Sequence, residues 1–191
     1  WLRVDDGAAR YPVTIDPFVQ TAKLTASDGA AVDEFGFSVA ISGDTVVVGA
    51  RLGDGTISNQ GSAYVFVKPA GGWTNMTQTA KLTASDGAAG DEFGFSVAIS
   101  GDTVVVGARF GDGTISDQGS AYVFVKPAGG WSNMTQTAKL TASDGAAGDL
   151  FGASVAISGD TVVVGALLAD GANTNQGSAY VFVKPAGGWS N

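Results

Sequence analysis

One segment of this chain recurs three times at a fixed spacing. The sequence from Phe35 to Ala50 returns almost unchanged from Phe93 to Ala108, and with small changes from Phe151 to Ala166. Both spacings are 58 residues, because 93 − 35 = 58 and 151 − 93 = 58. A long tandem period predicts a repeat architecture, in which each unit buries its apolar surface only against its neighbours. The chain is therefore expected to fold as a stack of similar units.

The period divides the chain into an N-terminal segment and three units. We assign residues 1–20 to the segment, 21–78 to the first unit, 79–136 to the second and 137–191 to the third. The first two units differ at four positions only. Because Ile15 aligns with Trp73, we interpret the segment as the tail of an upstream domain followed by an orphan outer strand. The third unit stops before its own last strand.

Each unit contains four predicted strands. In the first unit, strand A is Phe37–Ser42, and Gly43-Asp44 predicts a two-residue hairpin turn into strand B, Thr45–Ala50. Strand C is Ser62–Lys68, and strand D runs from Trp73 to about Thr83. Strands B and C are apolar on both faces, so both faces are expected to be buried. Antiparallel four-stranded sheets stacked on copies of themselves are the blades of a β-propeller, and we predict an all-β partial propeller of three blades.

The composition excludes several classes of function. The chain has no Cys and no His, which removes thiol nucleophiles, disulfides, the usual zinc sites and imidazole bases. Its formal net charge of −8 disfavours binding to nucleic acid through phosphates. No run approaches the roughly 18 apolar residues of a membrane helix, so membrane insertion is not expected. Because the repeats contain no unique polar constellation either, we do not expect an enzyme.

Three short motifs recur in every unit and together indicate a family. In the first unit they are Phe35-Gly36, Gly49-Ala50 and Gly61-Ser62-Ala63-Tyr64-Val65-Phe66. They resemble FG-GAP repeats, the blade units of integrin α-subunit propellers and of many bacterial surface proteins. The resemblance implies a non-enzymatic propeller module of an exported or cell-surface protein, which acts in adhesion, ligand binding or assembly.

The chain departs from the family pattern at two places. The third residue of the family's Gly-Ala-Pro motif is replaced by Arg51, Arg109 or Leu167. Many family members also carry a calcium loop between strands A and B, where this chain has only Gly43-Asp44. That turn is too short to surround a calcium ion with its roughly six to eight oxygen ligands. The family's calcium site is therefore not expected at this position.

Antiparallel strand order places the B–C and D–A loops at one end of each blade, which we call the upper rim. These loops carry most of the acidic residues. A calcium ion shared by two rim aspartates and backbone carbonyls is the metal hypothesis, and no other cofactor is predicted. The predicted metal residues are Asp28, Asp33, Asp86, Asp91, Asp144 and Asp149.

The remaining rim acids form a predicted ligand face, because integrin relatives bind their ligands at this end. A protein or a glycan is the expected ligand. The alternative is that Asp and Gly occupy these loops because they suit turns and keep the surface soluble. The ligand-face residues are Glu34, Asp54, Glu92, Asp112 and Asp170.

Two further patterns admit more than one interpretation. Trp73, Trp131 and Trp189 begin strand D, where they would cover the outer edge of a blade or stack on sugars. Asn75-Met76-Thr77 and Asn133-Met134-Thr135 fit the acceptor pattern for N-glycosylation, but we interpret them as ordinary strand residues.

Three blades are too few to close a ring, since propellers close with about four to eight. The N-terminal segment offers an outer strand, and the third unit lacks one. We therefore hypothesise that the segment Phe18–Thr25 pairs with Ser178–Lys184 of another chain. Two chains would give a ring of six blades, and an arrangement that does not close would give a filament. The alternative is that further blades of the same array take these places.

Overall fold

The computed structural model describes residues 19–55, 57–113 and 115–190. The predicted upstream tail and the beginning of the orphan strand lie outside these residues. Throughout the described part the regular structure is β, with no helix that could cross a lipid bilayer. The strands are β1 (Leu24–Thr25), β2 (Phe35–Ser42), β3 (Thr45–Ala50), β4 (Ser62–Val67), β5 (Met76–Thr77), β6 (Ala80–Thr83), β7 (Phe93–Ser100), β8 (Thr103–Ala108), β9 (Ser120–Val125), β10 (Met134–Thr135), β11 (Ala138–Leu140), β12 (Phe151–Ser158), β13 (Thr161–Ala166) and β14 (Ser178–Val183).

Among the described residues, three of the four sheets contain an antiparallel blade each, and the fourth is the two-stranded parallel pair of β1 and β5. Blade 1 has the order β6-β4-β3-β2 from the outside inwards, and blade 2 has the equivalent order β11-β9-β8-β7. Blade 3 comprises β14, β13 and β12 among the described residues. The prediction of an all-β chain of three propeller-type blades is confirmed.

Strand B matches its predicted bounds, and strand A begins two residues earlier than predicted, at Phe35. The register between β2 and β3 shifts between Phe35 and Ser38, because a bulge separates the Phe-Gly pair from the regular hairpin. This bulge turns Phe35 and Gly36 away from the plain alternation of the strand.

Strand D is not a single strand, contrary to the prediction. Its first part, Met76–Thr77, pairs in parallel with β1, whereas its second part, Ala80–Thr83, pairs with β4 of its own blade. The chain thus pairs with the outer strand that precedes blade 1 before it adds the outer strand of blade 1. β10 does the same on β6. The described residues thus contain two short parallel clasps, one between the N-terminal outer strand and blade 1 and one between blades 1 and 2.

The hydrophobic core lies between blades, as predicted for a stack. Successive residues of a strand point to opposite faces, so each blade has two apolar faces. We call the face that a blade turns towards the next blade its trailing face, and the opposite face its leading face. The trailing face of blade 1 includes Val47, Val65 and Leu82, and it packs against Val104 and Phe124 of the leading face of blade 2. Blades 2 and 3 meet through the equivalent surfaces.

Parts of the two end faces of the stack are uncovered, although the equivalent residues of the other blades are buried. Val65 and Val123 on the trailing faces of blades 1 and 2 are 0% exposed, but the equivalent Val181 of blade 3 is 65% exposed. On the leading side, Val97 is 9% exposed and the equivalent Val39 of blade 1 is 68% exposed. The trailing face of blade 3 and the inner-strand part of the leading face of blade 1 are therefore exposed. Tyr64 and Phe66, also on that leading face, are only 1% and 0% exposed, in a cluster against which Leu24 packs.

Candidate functional site

The most specific contact between blades is a Phe-Gly joint. Phe93 of blade 2 forms a parallel bridge with Gly61 of blade 1, and its amide donates to the Gln60 carbonyl at 3.0 Å. The Ser38 hydroxyl donates to the Gly94 carbonyl at 2.8 Å. The Phe-Gly pair of one blade thus sits in a polar notch on the trailing face of the preceding blade.

The notch requires glycine because two backbones meet there. A methyl group at Gly49 would lie closer than 3.0 Å to the Gly94 carbonyl oxygen, and one at Gly61 would lie equally close to the Phe93 carbonyl oxygen. Only a residue without a side chain allows so close an approach. The joint between blades 2 and 3 repeats this arrangement with Ser96, Gly107, Gly119, Phe151 and Gly152.

Both halves of the same joint are open at the ends of the array. A cavity of about 470 Å³ lies on the trailing face of blade 3. At the other end, a methyl group at Gly36 would meet no atom within 4 Å, although the equivalent Gly94 is closely surrounded. The residues lining the cavity include Ser154, Gly165, Gly177 and Ser178, the equivalents of the notch residues Ser38, Gly49, Gly61 and Ser62.

Polar side chains hold the parallel clasps in place. The Lys23 amide donates to Asn75 Oδ1 at 2.7 Å, and the Ser27 amide donates to Gln78 Oε1 at 2.9 Å. In the next junction the Lys81 amide donates to Asn133 Oδ1 at 2.8 Å. The Asn side chain of each Asn-Met-Thr motif thus binds the neighbouring outer strand. Sequence reasoning missed this role, and the recurrence of Asn-Met-Thr-Gln in two units was its one signal.

A lysine from the outer strand fastens the upper rim of blades 1 and 2. Lys81 Nζ lies 2.5 Å from Asp28 Oδ2 and 5.4 Å from the centroid of the Tyr64 ring. Burial alone would raise the pKa of Asp28, but the hydrogen bond and charge of Lys81 lower it overall. Lys139 contacts Asp86 at 2.6 Å in the same way.

Blade 3 has the aspartate and the tyrosine of this contact, but no lysine beside them among the described residues. Asp144 lies beside Tyr180, and burial together with the hydrogen bond that Tyr180 donates to Asp144 raises the pKa of Tyr180. No lysine makes an ion pair with Asp144 among the described residues. The lysine one period before Lys81 is Lys23, which is exposed beside β1 at the opposite end of the array.

The other three predicted metal residues, Asp33, Asp91 and Asp149, accept hydrogen bonds within the D–A loops. Asp33 is buried, and its Oδ2 accepts a hydrogen bond from the Ala30 amide at 2.7 Å. Asp91 and Asp149 repeat this contact with the amides three residues before them, at 2.8 Å and 2.7 Å. Burial raises the pKa of Asp91. These carboxylates therefore stabilise the turns of the D–A loops.

Three ligand-face aspartates close the B–C loops. Asp54 Oδ1 accepts from the Asn59 amide at 2.9 Å, Asp112 Oδ1 from the Asp117 amide at 3.0 Å, and Asp170 Oδ1 from the Asn175 amide at 2.7 Å. The B–C and D–A loops do meet at one rim, since the Leu52 amide donates to the Asp33 carbonyl at 3.3 Å.

The two glutamates form an ion-pair ladder along the inner strands. Arg51 pairs with Glu34 of its own blade at 2.5 Å and with Glu92 of the next blade at 2.8 Å. Arg109 continues the ladder to Glu92 at 2.6 Å. The hydrogen bond that Arg51 donates to Glu34 contributes most to raising the pKa of Arg51. The ladder stops at blade 3, where Leu150 replaces the glutamate.

The predicted rim acids thus have protein partners, and the structure gives them structural roles. No group of three or more acidic residues is placed to hold a metal ion in residues 19–55, 57–113 and 115–190. A calcium ion shared by Asp28 and Asp33 stays a prediction. A protein or glycan bound to the rim stays a prediction as well.

The tryptophans pack into the contacts between blades. Trp131 belongs to the core between blades 1 and 2, and Trp189 belongs to the core between blades 2 and 3. Each is 8% exposed, so little ring surface is left for stacking on a sugar. Trp73 packs on the leading side of blade 1.

Among the comparisons with known proteins, the match to a family model agrees with this architecture. No functionally curated protein matches the sequence. Among solved structures, the chain is similar to one described as the crystal structure of the computationally designed Ika4 protein. The identity is 15%, the match covers 87% of this chain and 99% of that chain, and the TM-score is 0.37. The family model for the FG-GAP repeat matches residues 18–66, 76–124 and 134–182. Because these matches cover well over half of the 191 residues, the chain belongs to the FG-GAP repeat family.

Proposed function

We propose that the chain is a non-enzymatic β-propeller module that assembles head to tail. In this assembly the leading face of blade 1 of one copy sits on the trailing face of blade 3 of another. One observation carries the proposal: both halves of the Phe-Gly joint are exposed, one at each end of the stack. The same joint is already formed twice inside the chain.

The first step is the seating of Phe35-Gly36 in the notch of blade 3. By analogy with the internal joints, the Phe35 amide donates to the Gln176 carbonyl of the other copy. The Ser154 hydroxyl of that copy donates to the Gly36 carbonyl. The exposed apolar residues Val39 and Val181 are covered at the same time, which removes water from both end faces.

The second step completes blade 3 with an outer strand. In blade 1, β6 pairs with β4 through Ala80 opposite Val65 and Leu82 opposite Ala63. Shifting this register by the period of the repeat gives the pairing between copies. It places Ala22, Lys23 and Leu24 of the second copy opposite Val181, Tyr180 and Ala179.

The third step is electrostatic. Lys23 of the second copy takes the position that Lys81 and Lys139 hold in their blades, beside Asp144 and the ring of Tyr180. An exposed ion pair of this kind contributes about 0–1 kcal/mol, so it selects the register more than it stabilises the assembly. The charges of the two ends are nevertheless complementary.

The family repeats support the same pairing. Each match begins near an outer strand and ends in the third strand of the following sheet, as in residues 76–124. The described chain thus contains three outer strands, β1, β6 and β11, and three inner three-stranded sheets. The outer strand β1 precedes the first three-stranded sheet, and the last three-stranded sheet has no outer strand among the described residues. Head-to-tail association would therefore pair β1 of one copy with the last sheet of another.

We extend the proposal to the setting of the protein. FG-GAP repeats commonly occur in extracellular or surface proteins, and an exported array would present its acidic upper rim to solvent. Adhesion, or binding of a protein or glycan at that rim, would then be a property of the assembled array.

The native mass tests the proposal. The unmodified 191-residue chain is expected to form multiples of its 19.1 kDa mass in size-exclusion chromatography with light scattering. Val181→Asp would place a charge in the buried interface between copies, so this variant is expected to be a monomer with an unchanged circular dichroism spectrum. Burial of an unpaired charge is costly, whereas Val181 is exposed in the single chain.

A matched control separates the interface from a general effect of charge. Ser132→Asp adds the same charge on an exposed turn of blade 2 and is expected to assemble like the unmodified chain. A stable monomer of the unmodified chain at about 0.1 mM would refute the proposal, since that concentration is far above the Kd of a typical specific interface. Assembly of Val181→Asp would refute the proposed interface.

A further inference from the structure

Unit 3 differs from the other units at one place on the inner side of the upper rim. In blades 1 and 2 a phenylalanine, a glutamate and an arginine meet there, and the tilted rings of Phe37 and Phe95 are in contact at 4.9 Å between centroids. In blade 3 all three side chains are changed to smaller or apolar ones. The replacements are Ala153 for the phenylalanine, Leu150 for the glutamate and Leu167 for the arginine.

These replacements leave an open pocket on an apolar floor. Phe95, Leu150, Ala153 and Leu167 line one part of the cavity of about 470 Å³, together with Arg109. The remaining lining belongs to the notch described above. A mostly apolar pocket with one charged group is the usual form of a site for a small molecule.

Arg109 contributes the charge, and it makes fewer ionic contacts than its equivalent. Arg51 makes three hydrogen bonds to carboxylates, two to Glu34 and one to Glu92. Within the part of the chain that the structure describes, Arg109 makes one, from Nε to Glu92 Oε2. The carboxylate of the next blade is absent because Leu150 replaces it. The guanidinium also packs on the Phe95 ring, with its Cζ 4.2 Å from the ring centroid.

We propose that this pocket binds a small molecule that carries an aromatic ring and a carboxylate. The ring occupies the place of the missing phenylalanine, beside Phe95 as Phe95 lies beside Phe37. The carboxylate binds Arg109 as Glu92 binds Arg51. Offset aromatic contacts and charge-assisted hydrogen bonds from arginine are the two interactions that such a ligand satisfies together. The proposal uses one chain only and does not depend on assembly.

The repeat itself supplies the test variants. 3-Phenylpropionate is titrated into ¹⁵N-labelled protein in the Val181→Asp background, so that self-association does not compete. The expected result is saturable shifts of the Phe95, Arg109 and Leu150 amides. Ala153→Phe restores the residue of the other units and fills the ring position. It is expected to weaken binding at least about tenfold without loss of fold, because Phe37 and Phe95 occupy the same position in blades 1 and 2.

Two comparisons test whether the charge of Arg109 binds the carboxylate of the ligand. Arg109→Gln is expected to weaken binding of 3-phenylpropionate about tenfold, and 3-phenylpropanol, which lacks the carboxylate, is expected to bind the unmodified site about tenfold more weakly than the acid. Equal binding of the acid and the alcohol would overturn the proposed role of Arg109. Undiminished binding by the folded Ala153→Phe variant, or no saturable shift with the parent protein, would overturn the site.

Discussion

The Phe-Gly joint predicts a sharp difference between two equivalent glycines. Gly107 faces the joint between blades 2 and 3, and a methyl group there would lie closer than 3.0 Å to the Gly152 carbonyl oxygen. Gly165 occupies the same position one unit later, where a methyl group would meet only the side chain and backbone of Ser154. Gly107→Ala is therefore expected to destabilise the chain, and Gly165→Ala is expected to be tolerated.

The magnitude follows from the contacts that Gly107→Ala would disturb. The two backbones would have to move apart by roughly 1 Å, which forfeits a quarter to a half of the nearby dispersion contacts. Overpacking of this kind costs about 1–3 kcal/mol. The hydrogen bond from Ser96 Oγ to the Gly152 carbonyl contributes about 1 kcal/mol more. We therefore expect a loss of about 3 kcal/mol, which lowers the Tm of a domain of this size by about 6–12 °C.

Urea unfolding followed by circular dichroism measures this difference. Both alanine variants are placed in the Val181→Asp background, so that assembly does not contribute to the midpoint. Contact with the serine hydroxyl of the same blade is common to both variants and cancels in the comparison. A cost for Gly107→Ala below about 0.5 kcal/mol, or an equal cost for Gly165→Ala, would show that close backbone contact does not hold the blades together.

Three further predictions concern assembly, alkaline pH and calcium. Because the chain has no cysteine, Leu24→Cys combined with Ala179→Cys is expected to form disulfide-linked oligomers under mild oxidation, and either single variant is expected not to form a ladder of them. Burial and then the Asp86 charge raise the pKa of Tyr122 above its ordinary 10.0, so the unfolded chain loses this proton first and the free energy of unfolding falls as pH rises above 10.0. Urea titrations at successive pH values are expected to show a smaller fall for Tyr122→Phe, and an identical profile would refute this assignment. A calcium ion shared by Asp28 and Asp33 predicts a Tm that rises in millimolar calcium and returns on chelation, and a Tm independent of calcium would remove that hypothesis.

Much of the fold could be predicted because its determinants are local. Gly43-Asp44 specifies the hairpin between β2 and β3, and the β-branched run Val46-Val47-Val48 indicates a strand buried on both faces. The period then extends each local prediction to every unit. The placement of the acidic loops at one rim followed from antiparallel order alone.

The remaining features depend on partners that are distant in sequence. The split of strand D depends on side chains such as Asn75, which binds the backbone of Lys23 across 52 residues. The rim aspartates suggested a metal ion because the sequence does not show that Lys81 is the cation beside Asp28. Lys81 reaches Asp28 only when the outer strand pairs with its blade. Periodicity shows that these residues recur, but it does not show which of them meet.

The offset between the sequence repeat and the blade has a consequence for how such genes change. Each unit donates its outer strand backwards, so inserting or deleting one complete 58-residue unit leaves both termini of the array with the same shapes and charges. Unequal recombination between near-identical copies would thus alter the length of the protein in a single event while preserving its capacity to join with others. Natural variants that differ by whole units would then remain mutually compatible.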